Sequence, residues 1–445
     1  MHQTDDASGV ATSLPAHLMP EWNGVIRGIL SHAAMTGPAL AGVLQAAPDF
    51  ALGQAVRGLS CLLLGRAEMV SVAHEALAAA RAGAAGTARE MAFVQALGDW
   101  LGGRPTVAAA RLQGVLADHP RDALAMKMVQ AIHFVMGRPV AMRASVEAVL
   151  DAWDDHPLRG FVLGCHAFTL EETGEYARAE RIGREGVDLA ADDAWGLHAV
   201  AHVHDMTARA EDGLRWLTGR ESSWAHCNNF RFHVWWHRAL LHLDLGQADQ
   251  VLALYDRDIR ADRTDDYRDI ANAASLLSRL ELDGVDVGRR WDELADLSEG
   301  RATDGCLAFA DLHYMLALCG GGREAAAAGL IARMAATRPA TGEAAQVIAH
   351  PGLHLAQGLQ AFAQGDYATA WLHLREGRGD AQAIGGSHAQ RDVFARVTIE
   401  AALRGGYLDA AETLLHERQR QRAGTLDGYA RRRLDLIASA RTAAV

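Results

Sequence analysis

"EETGEYARAE" (residues 171–180) decides the fold: a helical end, one glycine, then an acidic-aromatic-alanine start to the next helix. The same punctuation recurs along the chain. "LLLGRAEMV" turns at Gly65, "WLGGRPTVA" at Gly103, "FVMGRPVAM" at Gly137, "MTARAEDGL" at Ala208 and "LDLGQADQV" at Gly246. With Gly174 included, the steps are 38, 34, 37, 34 and 38 residues. Later, "AFAQGDYATAW" turns at Gly365 and "LRGGYLDAAETLL" at Gly405. A glycine just past a helix takes the left-handed cap that closes its last turn. Alanine, leucine and arginine dominate between the turns, apolar residues recur at three and four, and strand signals are nearly absent. The chain is expected to be all-α, a right-handed superhelix of about six to eight helical hairpins.

A step of 34 residues is the tetratricopeptide period. Residues 1–44 are read as an N-terminal helical cap and 45–260 as regular tetratricopeptide-like repeats. Over 261–345, "DVGRRWDELADLSEGRATDG" breaks the rhythm, so atypical hairpins are expected there. Residues 346–445 are read as C-terminal repeats and a capping helix. "CGGGREAAAAG" (319–329) is expected to be a helix-turn-helix corner, and "GRGDAQAIGG" (377–386) a loop.

The composition is that of a folded chain: 445 residues, 50% hydrophobic and 22% charged. A net charge of −12 repels polyanions, so nucleic acid and anionic membranes are not expected partners. The five cysteines are scattered, which fits free thiols in a reducing compartment. The N-terminus has acids where a signal peptide needs lysines, and no run of about 18 apolar residues occurs. A soluble cytoplasmic protein is expected.

Two stretches carry unusual chemistry. "HAVAHVHD" (198–205) and "HVWWH" (233–237) each set two histidines four residues apart, on one helical face. With each turn residue set as position fifteen of its repeat, His198, His202 and Asp205 fall at groove-facing positions, as do His233, Trp236 and His237. His313 joins them if Gly322 is a turn, and Asp392 if Gly405 is. Asp311, Ser387, His388 and Arg391 lie beside these. Each residue also has a plain structural role open to it. Trp235 and Trp236 would serve as aromatic filler, Ser387 as a helix N-cap, and Arg391 with Asp392 as an ion pair.

The chain resembles the bacterial branch of the tetratricopeptide repeat protein 38 family. The likeness rests on "PDFALGQAVRG" (48–58), "GFVLGCHAFTLEETGEYARAE" (160–180), "AWGLHAVAHV" (194–203), "HVWWHRALLHLDLG" (233–246), "GVDVGRRWDELAD" (284–296), "FADLHYMLAL" (309–318) and "IGGSHAQRDVF" (384–394). It covers residues 45–420. The resemblance implies the fold and the motif positions, and brings no activity with it. Val234 stands where the family pattern has asparagine, and "REGRGDAQA" replaces an aromatic and basic stretch before Gly385.

Three functions follow from these residues. The main expectation is a groove lined by histidine, tryptophan and aspartate that binds a small polar ligand or a short peptide through His198, His233, Trp236, Asp311, His313, Ser387, His388 and Arg391. The alternative is an enzyme. His202 or His237 would be its general base, Asp205 or Asp392 the orienting carboxylate and Arg391 the anion contact. A transition metal such as zinc, copper or iron on His198, His202, His233 and His237 is the metal-dependent form of that alternative. Ala199 and Val234 occupy the place where a zincin needs its glutamate, so metalloprotease chemistry is not expected. The sequence leaves the oligomeric state open, a homo-oligomer included.

Overall fold

A computed structural model describes residues 4–83 and 86–443. The described chain is all-helical apart from a two-residue strand pair, Thr4–Asp5 with Ala11–Thr12. Helices follow in sequence-adjacent pairs that pack on their neighbours, the arrangement of an α-solenoid. In each pair the first helix is buried nearly all round. In Arg159–Glu172 every residue from Gly160 onward is buried, as helices enclosed on all sides require. Its partner, Tyr176–Leu189, buries one stripe, with Tyr176, Ala179, Ile182, Gly183 and Gly186 at helical spacing.

The turns lie where the glycines put them. Gly65, Gly103, Gly137, Gly174, Gly246, Gly322 and Gly365 all have positive φ, and Ala208 takes the same conformation at φ 53. Three expectations are corrected. The last turn is carried by Gly406 (φ 82), because Gly405 is still helical at φ −78, so Asp392 moves one position off the groove-facing register. The stretch 261–345 keeps the rhythm: Gly284 (φ 81) continues the 38-residue step, and helices Tyr267–Leu282 and Arg290–Arg301 flank it. Residues 378–384 are not open loop but a 3₁₀ segment, Arg378–Ile384. The expected corner at 319–329 is present, between helices Ala308–Gly320 and Glu324–Ala336.

The concave side is not an open groove. Distant parts of the chain meet across it. The Glu343 N–H donates to the Gly103 carbonyl at 3.0 Å and the Gln382 side chain to the Gly137 carbonyl at 3.1 Å. Arg66 pairs with Asp265 at 2.7 Å, and the Asn228 N–H bonds the His32 carbonyl at 2.8 Å. These contacts convert the expected groove into a chamber.

Candidate functional site

The chamber measures about 190 Å³ and is lined from at least seven parts of the chain, from His32 near one end to Ser387 and Gln390 near the other. Much of its wall is aromatic: Phe134, Phe168, Trp195, Phe230, Tyr267 and Phe309. Asn272, Gln130 and the paired Asn228 and Asn229 supply neutral polar groups, and Lys127 and Arg268 supply positive charge.

His198 and His233 line the chamber, and His202 and His237 stand directly behind them. Each of the four offers a ring nitrogen within 4.8 Å of the others, and all four are buried. The His202 and His237 ring centres are 4.2 Å apart, and His237 Nε2 lies 3.1 Å from His233 Nε2. Outer contacts orient the rings. His233 Nδ1 is 2.9 Å from Asn272 Oδ1, and His198 Nδ1 bonds the Trp195 carbonyl. His202 Nδ1 is 3.5 Å from Glu171 Oε2, although neither His202 nitrogen nor either Glu171 oxygen completes a hydrogen bond. Trp236 stacks on His233 at 5.2 Å and 17°. It is a wall behind the histidines, fully buried and off the chamber surface.

The local sequence explains this convergence. Spacing by four places His198 above His202 on helix Ala194–Met206, and His233 above His237 on Phe230–Asp244. Two glycines then bring Glu171 to His202. A Cβ built on Gly164 would lie 2.9 Å from the Gly196 Cα and 1.9 Å from Asp193 Oδ2. Only side chains without a Cβ let helices Arg159–Glu172 and Ala194–Met206 come this close.

Burial sets the protonation of the cluster. It holds His198 and His237 well below the ordinary imidazole range, and His233 down at about 3, with the charge on His202 pushing the same way. For His202 burial also opposes charge, but the Glu171 carboxylate outweighs it and raises the pKa. Burial raises Glu171 itself. Next to it, burial works against the Glu172 carboxylate, but His388 and Arg391 overcome it and lower the pKa. The site therefore gathers neutral imidazoles around one charged histidine–glutamate pair.

The other expected residues divide. Ser387 lines the chamber and caps helix His388–Arg404 through a reciprocal bond with Gln390. His388 and Arg391 reach Glu172: the His388 N–H is 2.7 Å from Oε1, and Arg391 Nη2 is 3.2 Å from Oε2. Arg391 is thus committed to a carboxylate inside the protein, not available as an anion contact. Asp205 and Asp392 do not orient a histidine. They belong to a separate ion cluster, in which Arg418 and Arg396 hold Asp392 at 2.6 and 2.7 Å, and Arg422 holds Asp205 at 3.0 Å. The carboxylate that faces His202 is Glu171. Asp311 bonds Arg333 at 2.5 Å, and His313 donates from Nδ1 to the Phe309 carbonyl at 2.7 Å. Neither lines the chamber. No family model matches this chain.

Three chamber residues escaped sequence reasoning. Glu171 sits inside the turn motif that marks the fold, so its role was masked by the repeat. His32, which stacks on Phe230 at 4.7 Å, lies in the segment read as a cap. Lys127 had a signal that was there to be seen: it is the only lysine in the chain.

Proposed function

We propose that this chain is a tetratricopeptide-like helical-hairpin protein, akin to the tetratricopeptide repeat protein 38 family, that binds one small molecule in its chamber. The chamber itself supports this reading. A cavity of about 150 Å³ accepts a benzene ring, so 190 Å³ suits a ligand slightly larger than that and is too small for a peptide segment. Aromatic walls with a few convergent polar groups are the usual make-up of a small-molecule site. The net charge of −12 supports a partner other than nucleic acid or an anionic membrane. The five unpaired cysteines support a reducing compartment.

The test is native mass spectrometry of the full chain exposed to a metabolite extract, beside an Ala131→Phe variant whose new ring would fill the chamber. A bound small molecule should accompany the wild type and be lost from the variant. Capture by both proteins, or by neither, would refute the reading.

A second reading, a metal-dependent enzyme, is favoured by one observation: four imidazoles with ligand atoms within 4.8 Å, two of them facing the chamber. Two ligands on one tetrahedral ion with bonds of about 2.0–2.1 Å stand about 3.3–3.4 Å apart, close to the 3.1 Å between His233 and His237. The bonds from Asn272 and the Trp195 carbonyl are the outer contacts that such ligands use. A first-row ion held there would polarise a bound ligand. Elemental analysis of untagged protein after zinc loading should give about one ion per chain. The His202→Gln/His237→Gln variant, shown folded by circular dichroism, should hold none. Less than a tenth of an equivalent in the wild type would eliminate the metal.

A further inference from the structure

The chain holds 43 lysine and arginine residues, and a single one of them is lysine, Lys127. Every other permanent side-chain cation is an arginine. The exception lies on helix Ala123–Val135, is 8% exposed, and lines the chamber. Its ammonium stands 4.8 Å from the centre of the Trp195 ring, and it makes no salt bridge among the described residues.

That isolation is unusual for a buried charge. A lysine out of water normally has a carboxylate partner, because desolvating an unpaired charge is costly. The other cation of the chamber obeys this rule. Arg268 is clamped by Asp266, Nη2 to Oδ2 at 2.7 Å and Nε to Oδ1 at 2.9 Å. The acid that feels Lys127 most is Asp193, yet burial dominates there and pushes its carboxyl up to about 7. The charge of Lys127 is left without a partner inside the chamber.

The chemistry of the side chain matters as well. An ammonium is a compact charge with three donors on a flexible stem, whereas a guanidinium is a broad planar fork. In a space of 190 Å³ the fork would take up much of the volume a ligand needs. Around the ammonium stand the rings of Phe134, Phe168, Trp195 and Phe230. An apolar body fits these walls, and one negative charge fits the one unmatched cation.

We propose that Lys127 is the anion-binding group of the chamber, and that its ligand class is a small monocarboxylate with an aromatic or branched apolar body. The carboxylate takes the ammonium, and the Gln130 and Asn272 amides lie in the same wall to complete its hydrogen bonds. A phosphate ester would bring about two charges against one free cation. This inference rests on the small-molecule reading of the chamber.

The experiment uses the full chain with phenylacetate, benzoate and 4-methylvalerate, each beside its neutral amide, read by thermal shift and isothermal titration. Wild type should bind at least one carboxylate tenfold or more tighter than its amide. Lys127→Met should lose that preference while melting no lower than wild type without ligand, because it removes an unpaired buried charge. Binding of acid and amide alike, or of no carboxylate, would overturn the proposal. A lower melting temperature of ligand-free Lys127→Met would do the same, since it would make the lysine a structural partner of Trp195. An amide that binds wild type and Lys127→Met equally, and is blocked by Ala131→Phe, would keep the chamber reading and remove only the lysine. Because Lys127 is the sole side-chain amine, an amine-directed reagent reports on this position. Its labelling should be slowed by the bound acid and not by the amide.

Discussion

Asp193 shows how a single buried residue sets a pH response. Burial pushes its carboxyl to about 7, even with Lys127 pulling the other way, and neither oxygen has a hydrogen-bond partner. Its folded pKa lies above the unfolded one, so the folded state holds the extra proton between about pH 4 and 7. Stability is therefore full below that window and falls as pH rises through it, by up to about 1.4 kcal/mol per pH unit. Asp193→Asn keeps a residue suited to the start of helix Ala194–Met206 and removes the titration. We expect the variant to match wild type in urea unfolding near pH 4 and to exceed it at pH 8. A difference between the two that does not vary with pH would contradict this. At the same scale, His202→Ala strands Glu171 as a buried charge without its counter-ion. We expect a loss of about 3–5 kcal/mol by urea denaturation. Adding Glu171→Gln should recover part of it, and if it recovers none the pair is not coupled.

At the scale of the element, the turns and the helix contacts can each be tested. Ala208 holds the left-handed turn that glycine holds in the neighbouring hairpins. An L-residue pays roughly 1–2 kcal/mol in that conformation, so Ala208→Gly should raise Tm, and an unchanged or lower value would show the turn to be unstrained. Gly164 does the opposite work. Alanine there would drive a Cβ into Asp193 Oδ2 and the Gly196 backbone. Overpacking of this kind costs about 1–3 kcal/mol. It should also separate the Glu171 and His202 helices, which a chemical-shift change at the His202 ring would report. If Gly164→Ala melts like wild type, the close approach of those helices is not required.

Across the whole molecule, closure distinguishes this chain from an open repeat array. In an open solenoid each repeat touches only its neighbours, and a terminal repeat can be removed with modest loss. Here the C-terminal part reaches back over more than 200 residues. His388 and Arg391 meet Glu172, Gln382 meets Gly137, and Arg422 meets Asp205. Removing residues 385–445 should therefore abolish the cooperative melt of the whole chain and not merely trim it. A truncated protein that keeps a sharp transition and a native near-ultraviolet spectrum would show closure to be incidental.

Periodic glycines, helix formers and a 34–38-residue step determined the helices and their pairing, because caps and amphipathic stripes are local properties of the chain. The spacing of His198, His202, His233 and His237 was also enough to put each pair on one helical face. That the two pairs meet was legible in the repeat frame. That they meet at the floor of a chamber was not, since closure depends on contacts such as Glu343 with Gly103, which no local pattern encodes. The same limit explains Asp205 and Asp392. Their register aimed them inward, but Arg396, Arg418 and Arg422, brought in from the far end of the chain, neutralise them in a cluster of their own. Glu171 was hidden in a turn motif until Gly164 and Gly196 set it against His202. Sequence fixes what each helix presents, whereas only tertiary packing decides which presented groups share a space. A charge or an imbalance of charge acquires meaning from its neighbours, as the one lysine of this chain does from the walls around it.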